Sequence, residues 1–284
     1  MGIIKTVGVV GSGTMGSGIA QIFAMKGFDV IVNDVHKKHI DEAAKKISWS
    51  LDRFLEKKTI TEDDKNNILN RIVFTIEIGK MRECDLVVEA IIEKMDEKNE
   101  IFRRLDKICK KECIFASNTS TLSITRLSRS TRRSDKFIGM HFFNPPQVMK
   151  PVEIIKGEKT SSDTLQTIKS LCIKLEKIPI EVKDSTGFIG NRILFTLINE
   201  AIICYEEKIA TKEDIDKIMK LGAGHPMGPL ELADFIGLDV CLDVLQILEK
   251  SYGNKFRPPE TLRQLVKKGY LGRKSGKGFY DYSK

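Results

Sequence analysis

The chain has 284 residues, of which 41% are apolar and 30% charged, and its formal net charge is +8. Such a length favours two domains over one hydrophobic core, and no apolar run approaches the roughly 18 residues of a membrane span. The positive balance points to a phosphate-bearing partner, but the lysines are interleaved with acids, as in KEDIDKIMK, and no aromatic platform accompanies them, which excludes nucleic acid.

TVGVV reads as a buried strand, followed by the glycine turn GSGTMG and a helix whose Met15, Ile19, Ile22 and Phe23 share one face. The helix stops at Gly27, and a second strand, DVIVND, closes on Asp34. Strand, glycine run, helix and a later acid together form the context in which GxGxxG signifies a dinucleotide site. In that reading Gly11 permits the tight turn, Gly13 lets a pyrophosphate approach the backbone, and Gly16 allows close helix-to-strand packing, with Thr14 and Met15 filling the turn. Asp34 would accept the adenosine ribose hydroxyls and repel a 2′-phosphate, so NAD is expected over NADP, a preference that His36, Lys37 and Lys38 weaken without excluding NADP. His36 and His39 are otherwise surface residues.

Residues 37–72 are too many for a plain crossover between parallel strands. Helical spacing of Ala43, Ile47, Leu51, Phe54 and Leu55 predicts a helical insertion, an excursion from the sheet with lysines on its other side. IVFT (72–75), DLVVEAI (85–91), CIFASN (113–118) and FIGMHFF (137–143) then read as parallel strands buried on both faces, and their alternation with helices predicts a Rossmann-type doubly wound sheet. Near PIEVKDSTGFIG the character changes. Ile193, Leu194, Leu197, Ile198, Ala201 and Ile202 form an apolar helix, and TKED resembles a capping box. The expected domains are therefore residues 1–184, nucleotide-binding, and 185–284, all-α, with surplus apolar surface suited to substrate binding and a homodimer.

His141 ends an apolar strand where such a sheet faces its ligand, and Glu153, in MKPVEIIK, lies on a following strand able to run beside it. A carboxylate on one imidazole nitrogen fixes the tautomer and stabilises the imidazolium, making the histidine a competent acid and base. Alone, Ser120 reads as a loop serine, Asn191 as a helix-start residue, and His225 as part of a helix-connecting turn.

GSGTMGSGIAQIF, DLVVEAI, ASNTSTLSIT, HFFNPPQVMKPVEII, TGFIGNRI, KLGAGHPMGPLELADFIGLD and GRKSGKGFYDY together resemble the 3-hydroxyacyl-CoA dehydrogenases, over nearly the whole chain. The resemblance implies NAD-dependent interconversion of (S)-3-hydroxyacyl-CoA and 3-oxoacyl-CoA, with 3-hydroxybutyryl-CoA the nearest substrate. It puts the family's His–Glu pair on His141 and Glu153, a substrate and cofactor contact on Ser120, and a carbonyl-holding amide on Asn191. It places Glu93, Lys98, Asn144 and Lys274 near the nicotinamide half of the cofactor, although the charged ones read alone as solvated surface. Ser50 and Lys57 fall where the helical insertion would touch CoA.

Other patterns are set aside. MGIIKT fits an acylation signal but leads into a strand, NTS at 118–120 fits a glycosylation sequon, and GRKSGKG lacks P-loop spacing. Six cysteines without a CxxC pair, and no basic-then-apolar leader, predict reduced thiols, a cytoplasmic protein and no metal. Two rivals are weighed: a β-hydroxyacid dehydrogenase acting on a free acid, expected to use a lysine base, and a non-catalytic NADH-binding protein, which would need no acid–base pair.

Overall fold

The computed structural model describes residues 4–283, so the first three residues of the acylation pattern MGIIKT lie outside the described residues. The chain divides into two compact units, Met1–Ser185 and Thr186–Lys284.

In the first unit the described elements are β1 (Thr6–Val10), α1 (Thr14–Met25), β2 (Asp29–Asn33), α2 (Lys37–Glu56), α3 (Glu62–Asn70), β3 (Ile72–Thr75), β4 (Leu86–Glu89), α4 (Met95–Ile108), β5 (Ile114–Ser117), α5 (Ile124–Ser128), β6 (Phe137–Phe142), β7 (Pro151–Lys156), α6 (Ser162–Lys174) and β8 (Ile178–Lys183). The eight strands form one sheet in the order β3-β2-β1-β4-β5-β6-β7-β8. Strands β3 through β6 are parallel. β7 turns back antiparallel to β6, and β8 runs parallel to β7. The order reverses between β1 and β4, a topological switch point at which doubly wound sheets open a crevice at their carboxyl ends.

The central strands read as uninterrupted apolar runs because helices cover both of their faces. Val7, Val9, Leu86, Val88, Phe115 and Ile138 are fully buried. β3, expected to be buried on both faces, is instead the sheet's edge and leaves Val73 47% exposed. At the opposite edge IPIEVK forms β8, with Ile178 and Ile180 partly in solvent. The insertion is helical as predicted, in α2 and α3, but it is no excursion. Ile47 and Leu51 of α2 and Ile68 of α3 pack into the same core as the sheet, so the insertion is anchored by its apolar stripe. Thr61 and Asp64 close a reciprocal capping box at the start of α3.

The second unit holds α7 (Gly190–Glu206), α8 (Lys212–Gly222), α9 (Pro229–Ile236), α10 (Leu238–Tyr252) and α11 (Glu260–Lys267). Ile198, Ile202, Leu230, Leu245 and Leu248 are fully buried in its core. Two carboxylates organise the polar interior. Asp216 accepts the N–H groups of Leu230 and Glu231, capping α9, and the hydroxyl of Tyr280. Asp234, fully buried, accepts the N–H groups of Phe279 and Tyr280 and the Tyr282 hydroxyl, folding GFYDY back over α9. Burial pushes the Asp234 carboxyl above its ordinary range despite these bonds, and burial together with the Asp234 charge pushes Tyr282 up to about 12. Ile193, Ile209, Ile218, Leu221 and Phe235 remain exposed on this unit.

Candidate active site

The carboxyl ends of β1, β2, β4, β5 and β6 lie along one edge of the sheet, because these strands are all parallel. The turn after β1 is shaped by glycine. Gly11 has φ +97°, a left-handed conformation that a Cβ disfavours, and its added Cβ would press on the Ala90 backbone at the end of β4. A Cβ on Gly16 would overlap the Gly11 carbonyl oxygen, so α1 can approach the turn only with glycine there. Gly13 differs. Its Cβ would meet no protein atom within 4 Å, so its smallness serves no internal packing and leaves the backbone open to a ligand. Gly13 is also the N-cap of α1, which has no side-chain cap and no acidic residue in its first turn. Uncapped N–H groups at a helix start whose own first turn carries no acid suit the pyrophosphate of a dinucleotide.

Beyond the turn, a cavity of about 550 Å³ lies between this loop and the end of β2. Asp34 stands at its wall, half-buried, with Oδ2 accepting the Ser12 N–H at 2.9 Å and the Ser12 hydroxyl at 2.8 Å. Its Oδ1 lies 3.0 Å from His39 Nδ1 and accepts the His36 N–H at 3.3 Å. Burial pushes this carboxyl up, but the hydrogen bonds from Ser12, His39 and His36 together outweigh it and hold its pKa below the usual carboxylate value. Thr14 and Met15 sit in the first turn of α1, where Thr14 is exposed and Met15 packs against the core.

Lys98 corrects the surface reading. It is 1% exposed, with Nζ 2.5 Å from Glu89 Oε1 and 3.3 Å from Glu93 Oε2. Glu89, fully buried at the end of β4, also accepts the Ile91 N–H and, at 2.6 Å, the Ser117 hydroxyl of β5. Glu93 Oε1 gathers the Thr119 hydroxyl at 2.5 Å and the N–H groups of Ser120 and Thr121 at 2.8 and 3.0 Å. The loop bearing Ser120 is thus held by a carboxylate that a buried lysine neutralises. Burial alone raises both carboxyls. Glu89 stays raised, whereas the Lys98 charge and the loop hydrogen bonds bring Glu93 below its ordinary value. Glu89 was not singled out from sequence, although a carboxylate inside the apolar run DLVVEAI was its signal. Asn118 was also missed: its Oδ1 accepts the Phe142 N–H at 2.9 Å, tying the Ser120 loop to the strand that carries His141.

His141 and Glu153 are directly paired residues of antiparallel β6 and β7. His141 Nδ1 lies 2.6 Å from Glu153 Oε2, with the histidine 6% and the glutamate 2% exposed. The carboxylate therefore accepts the Nδ1 proton, leaving Nε2 as the basic nitrogen of the neutral ring. Phe143 packs beside the imidazole, with ring centroids 5.1 Å apart.

The remaining predicted residues are spread wider. Asn144 is exposed in the turn after β6. Ser50 is buried on α2, its hydroxyl 3.5 Å from the Gln147 amide, so the insertion meets the loop that follows His141. Lys57 is exposed just past α2. Lys177 Nζ donates to the Pro146 and Met149 carbonyls at 2.6 and 2.8 Å, fixing that loop from beneath. In the second unit, Asn191 lies in the first turn of α7, and Lys274 follows α11 with its ammonium paired to Asp239. Among the described residues no cluster of metal-ligating side chains occurs, and no helix is long and apolar enough to cross a membrane.

A parallel sheet with this glycine turn, an uncapped helix start and an acid closing the next strand defines a dinucleotide-binding oxidoreductase. The 3-hydroxyacyl-CoA dehydrogenase NAD binding domain matches residues 6–185, and the C-terminal domain of the same family matches residues 187–282. The chain belongs to the 3-hydroxyacyl-CoA dehydrogenase family. It is 48% identical to a probable 3-hydroxybutyryl-CoA dehydrogenase of Deinococcus radiodurans, over 97% of this chain and 99% of that protein. Identity to the 3-hydroxybutyryl-CoA dehydrogenase of Clostridioides difficile is 44%, over 97% and 99%. The crystal structure of (S)-3-hydroxybutyryl-CoA dehydrogenase from Ralstonia eutropha superposes with a TM-score of 0.96 at 46% identity, covering 99% of this chain and 100% of that one.

Proposed function

We propose that the chain interconverts (S)-3-hydroxybutyryl-CoA and acetoacetyl-CoA, with NAD preferred over NADP and His141 and Glu153 as the acid–base pair. The observation that carries this reading is the 2.6 Å contact between His141 Nδ1 and Glu153 at the nucleotide edge of the sheet. Hydride transfer is the chemistry that NAD would supply when held by this site. In the oxidative direction His141 Nε2 takes the proton of the C3 hydroxyl, and in reduction it returns that proton to the carbonyl oxygen. Glu153 keeps the tautomer fixed and offsets the imidazolium charge. Ser120, on the loop held by Glu93, and Asn191 supply donors to the oxygen that becomes negative.

Gly11, Gly13 and Gly16 would cradle the pyrophosphate, and Asp34 would bind the ribose. Glu93, Lys98, Asn144 and Lys274 would border the nicotinamide half. Ser50 and Lys57 are assigned to the CoA handle, a role for which the exposed cation at 57 is the better suited. The exposed apolar side chains of the helical unit support a homodimer, and six cysteines without a disulfide support a cytoplasmic setting.

The test is the absorbance change of NADH and of NADPH with acetoacetyl-CoA, longer 3-oxoacyl thioesters and a free 3-hydroxy acid. Turnover confined to the free acid would overturn the thioester assignment. Tight NADH binding without turnover on any substrate would return the chain to a binding role.

A further inference from the structure

The acid that closes β2 is clasped by two histidines that belong to no part of the reaction. Asp34 Oδ1 lies against His39 Nδ1 at 3.0 Å and accepts the His36 N–H, while the His36 and His39 rings meet edge to face with centroids 5.1 Å apart. Asp34 Oδ2 is taken by Ser12. His36 and His39 both border the cavity at the end of β2. The other charged groups on that cavity are Glu42 and Lys46 of α2 and Glu97, Glu100 and Arg104 of α4, so carboxylates outnumber cations there while the imidazoles are neutral. Of the two lysines that open α2, Lys37 is paired to Asp41 at 2.8 Å. Whether that negative excess is balanced therefore depends on His36 and His39. Imidazole is the side chain whose charge ordinarily changes between pH 5 and 8.

We propose that His36 and His39 make the discrimination between NADH and NADPH depend on pH, by balancing the Asp34 charge when they are protonated. The proposal rests on Asp34 facing the adenosine ribose, as assigned above. With neutral imidazoles, Asp34 carries an uncompensated negative charge against a 2′-phosphate. An imidazolium 3.0 Å from Oδ1 cancels it, and a second one at position 36 adds a donor for phosphate oxygens. Neutralising one charge about 5 Å from a half-exposed anion changes binding by about tenfold. A dinucleotide without the 2′-phosphate carries less negative charge beside Asp34 and gains less from the change, so the ratio of the two affinities moves.

The experiment is fluorescence titration of NADH and NADPH, without acyl substrate, at pH 6 and pH 8. The wild-type ratio Kd(NADPH)/Kd(NADH) should fall by about tenfold or more on acidification. The 2′-phosphate itself has an ionisation near pH 6. Its contribution persists in the His36→Asn/His39→Asn double variant, whose ratio should fall much less. His39→Arg, with a permanent cation, should hold the ratio low at both pH values. An unchanged wild-type ratio, or an equal fall in wild type and double variant, overturns the proposal. Asp34→Asn separates this from the reading beneath it: if that substitution leaves the pH 8 ratio unchanged, the ribose assignment fails and the histidine proposal falls with it. If it lowers the pH 8 ratio while the wild-type ratio ignores pH, only the histidines are wrong.

Discussion

His141 and Glu153 face each other across a registered pair of antiparallel strands, so the β6–β7 ladder holds the imidazole and carboxylate in place. Neither side chain lies on a mobile loop. His141→Asn should lower kcat by about 10²- to 10⁴-fold while leaving the NADH dissociation constant within about twofold. Glu153→Gln keeps an acceptor toward Nδ1 but removes the charge that stabilises the imidazolium, and should lower kcat by about 10²-fold. Stopped-flow turnover and NADH fluorescence titration, run on the same preparations, check both. Equal losses of binding and turnover would make the pair structural.

The glycine turn offers a contrast within four residues. Gly13→Ala places a Cβ where no protein atom lies within 4 Å, so folding stability should hold while NADH affinity falls by about tenfold or more. Gly16→Ala forces its Cβ into the Gly11 carbonyl and should lower the thermal midpoint as well as binding. Thermal melts with and without NADH check the pair. If Gly13→Ala binds NADH as wild type does, the pyrophosphate does not approach that backbone.

In the helical unit, Asp234 receives two N–H groups and a hydroxyl from GFYDY. Asp234→Ala leaves those donors buried and unsatisfied, at a cost of about 1–3 kcal/mol, and should release the last turn of chain before the core of α7, α9 and α10. Hydrogen exchange should show lost protection at the Phe279 and Tyr280 amides first. Uniform loss across all five helices would mean that the segment is integral to the core.

Much of this architecture was legible because strand, glycine turn and helix each carry a local signal. TVGVV, IVFT and FIGMHFF mark their strands closely, and Gly27 and Thr211 mark helix ends. What was not legible was long-range. IVFT looks like a doubly covered strand, and only the strand order shows it to be an edge. Lys98 reads as one more helix-surface lysine, since its position on α4 does not say that Glu89 waits at the end of β4. His39 likewise becomes informative only when β2 and α2 bring it to Asp34. Side chains that meet across elements leave little trace in periodicity.

That buried lysine yields the sharpest test of stability. Lys98→Met leaves Glu89 fully buried without its cation, and should destabilise the first unit by about 3–5 kcal/mol. Glu89→Gln/Lys98→Met should recover most of the loss, because the amide can accept from Ile91 and donate to the Ser117 hydroxyl. The single variant should also be pH-dependent. Burial raises the folded pKa of Glu89 above its unfolded value of about 4.3, and removing Lys98 raises it further. A carboxyl with a raised folded pKa destabilises the fold when ionised. Its penalty is therefore present above the folded pKa and relieved as pH falls through it toward the unfolded value. The gap between wild type and Lys98→Met should narrow from pH 8 to pH 5 in urea melts followed by circular dichroism, and a gap that is constant or widens would show that Glu89 does not carry the penalty.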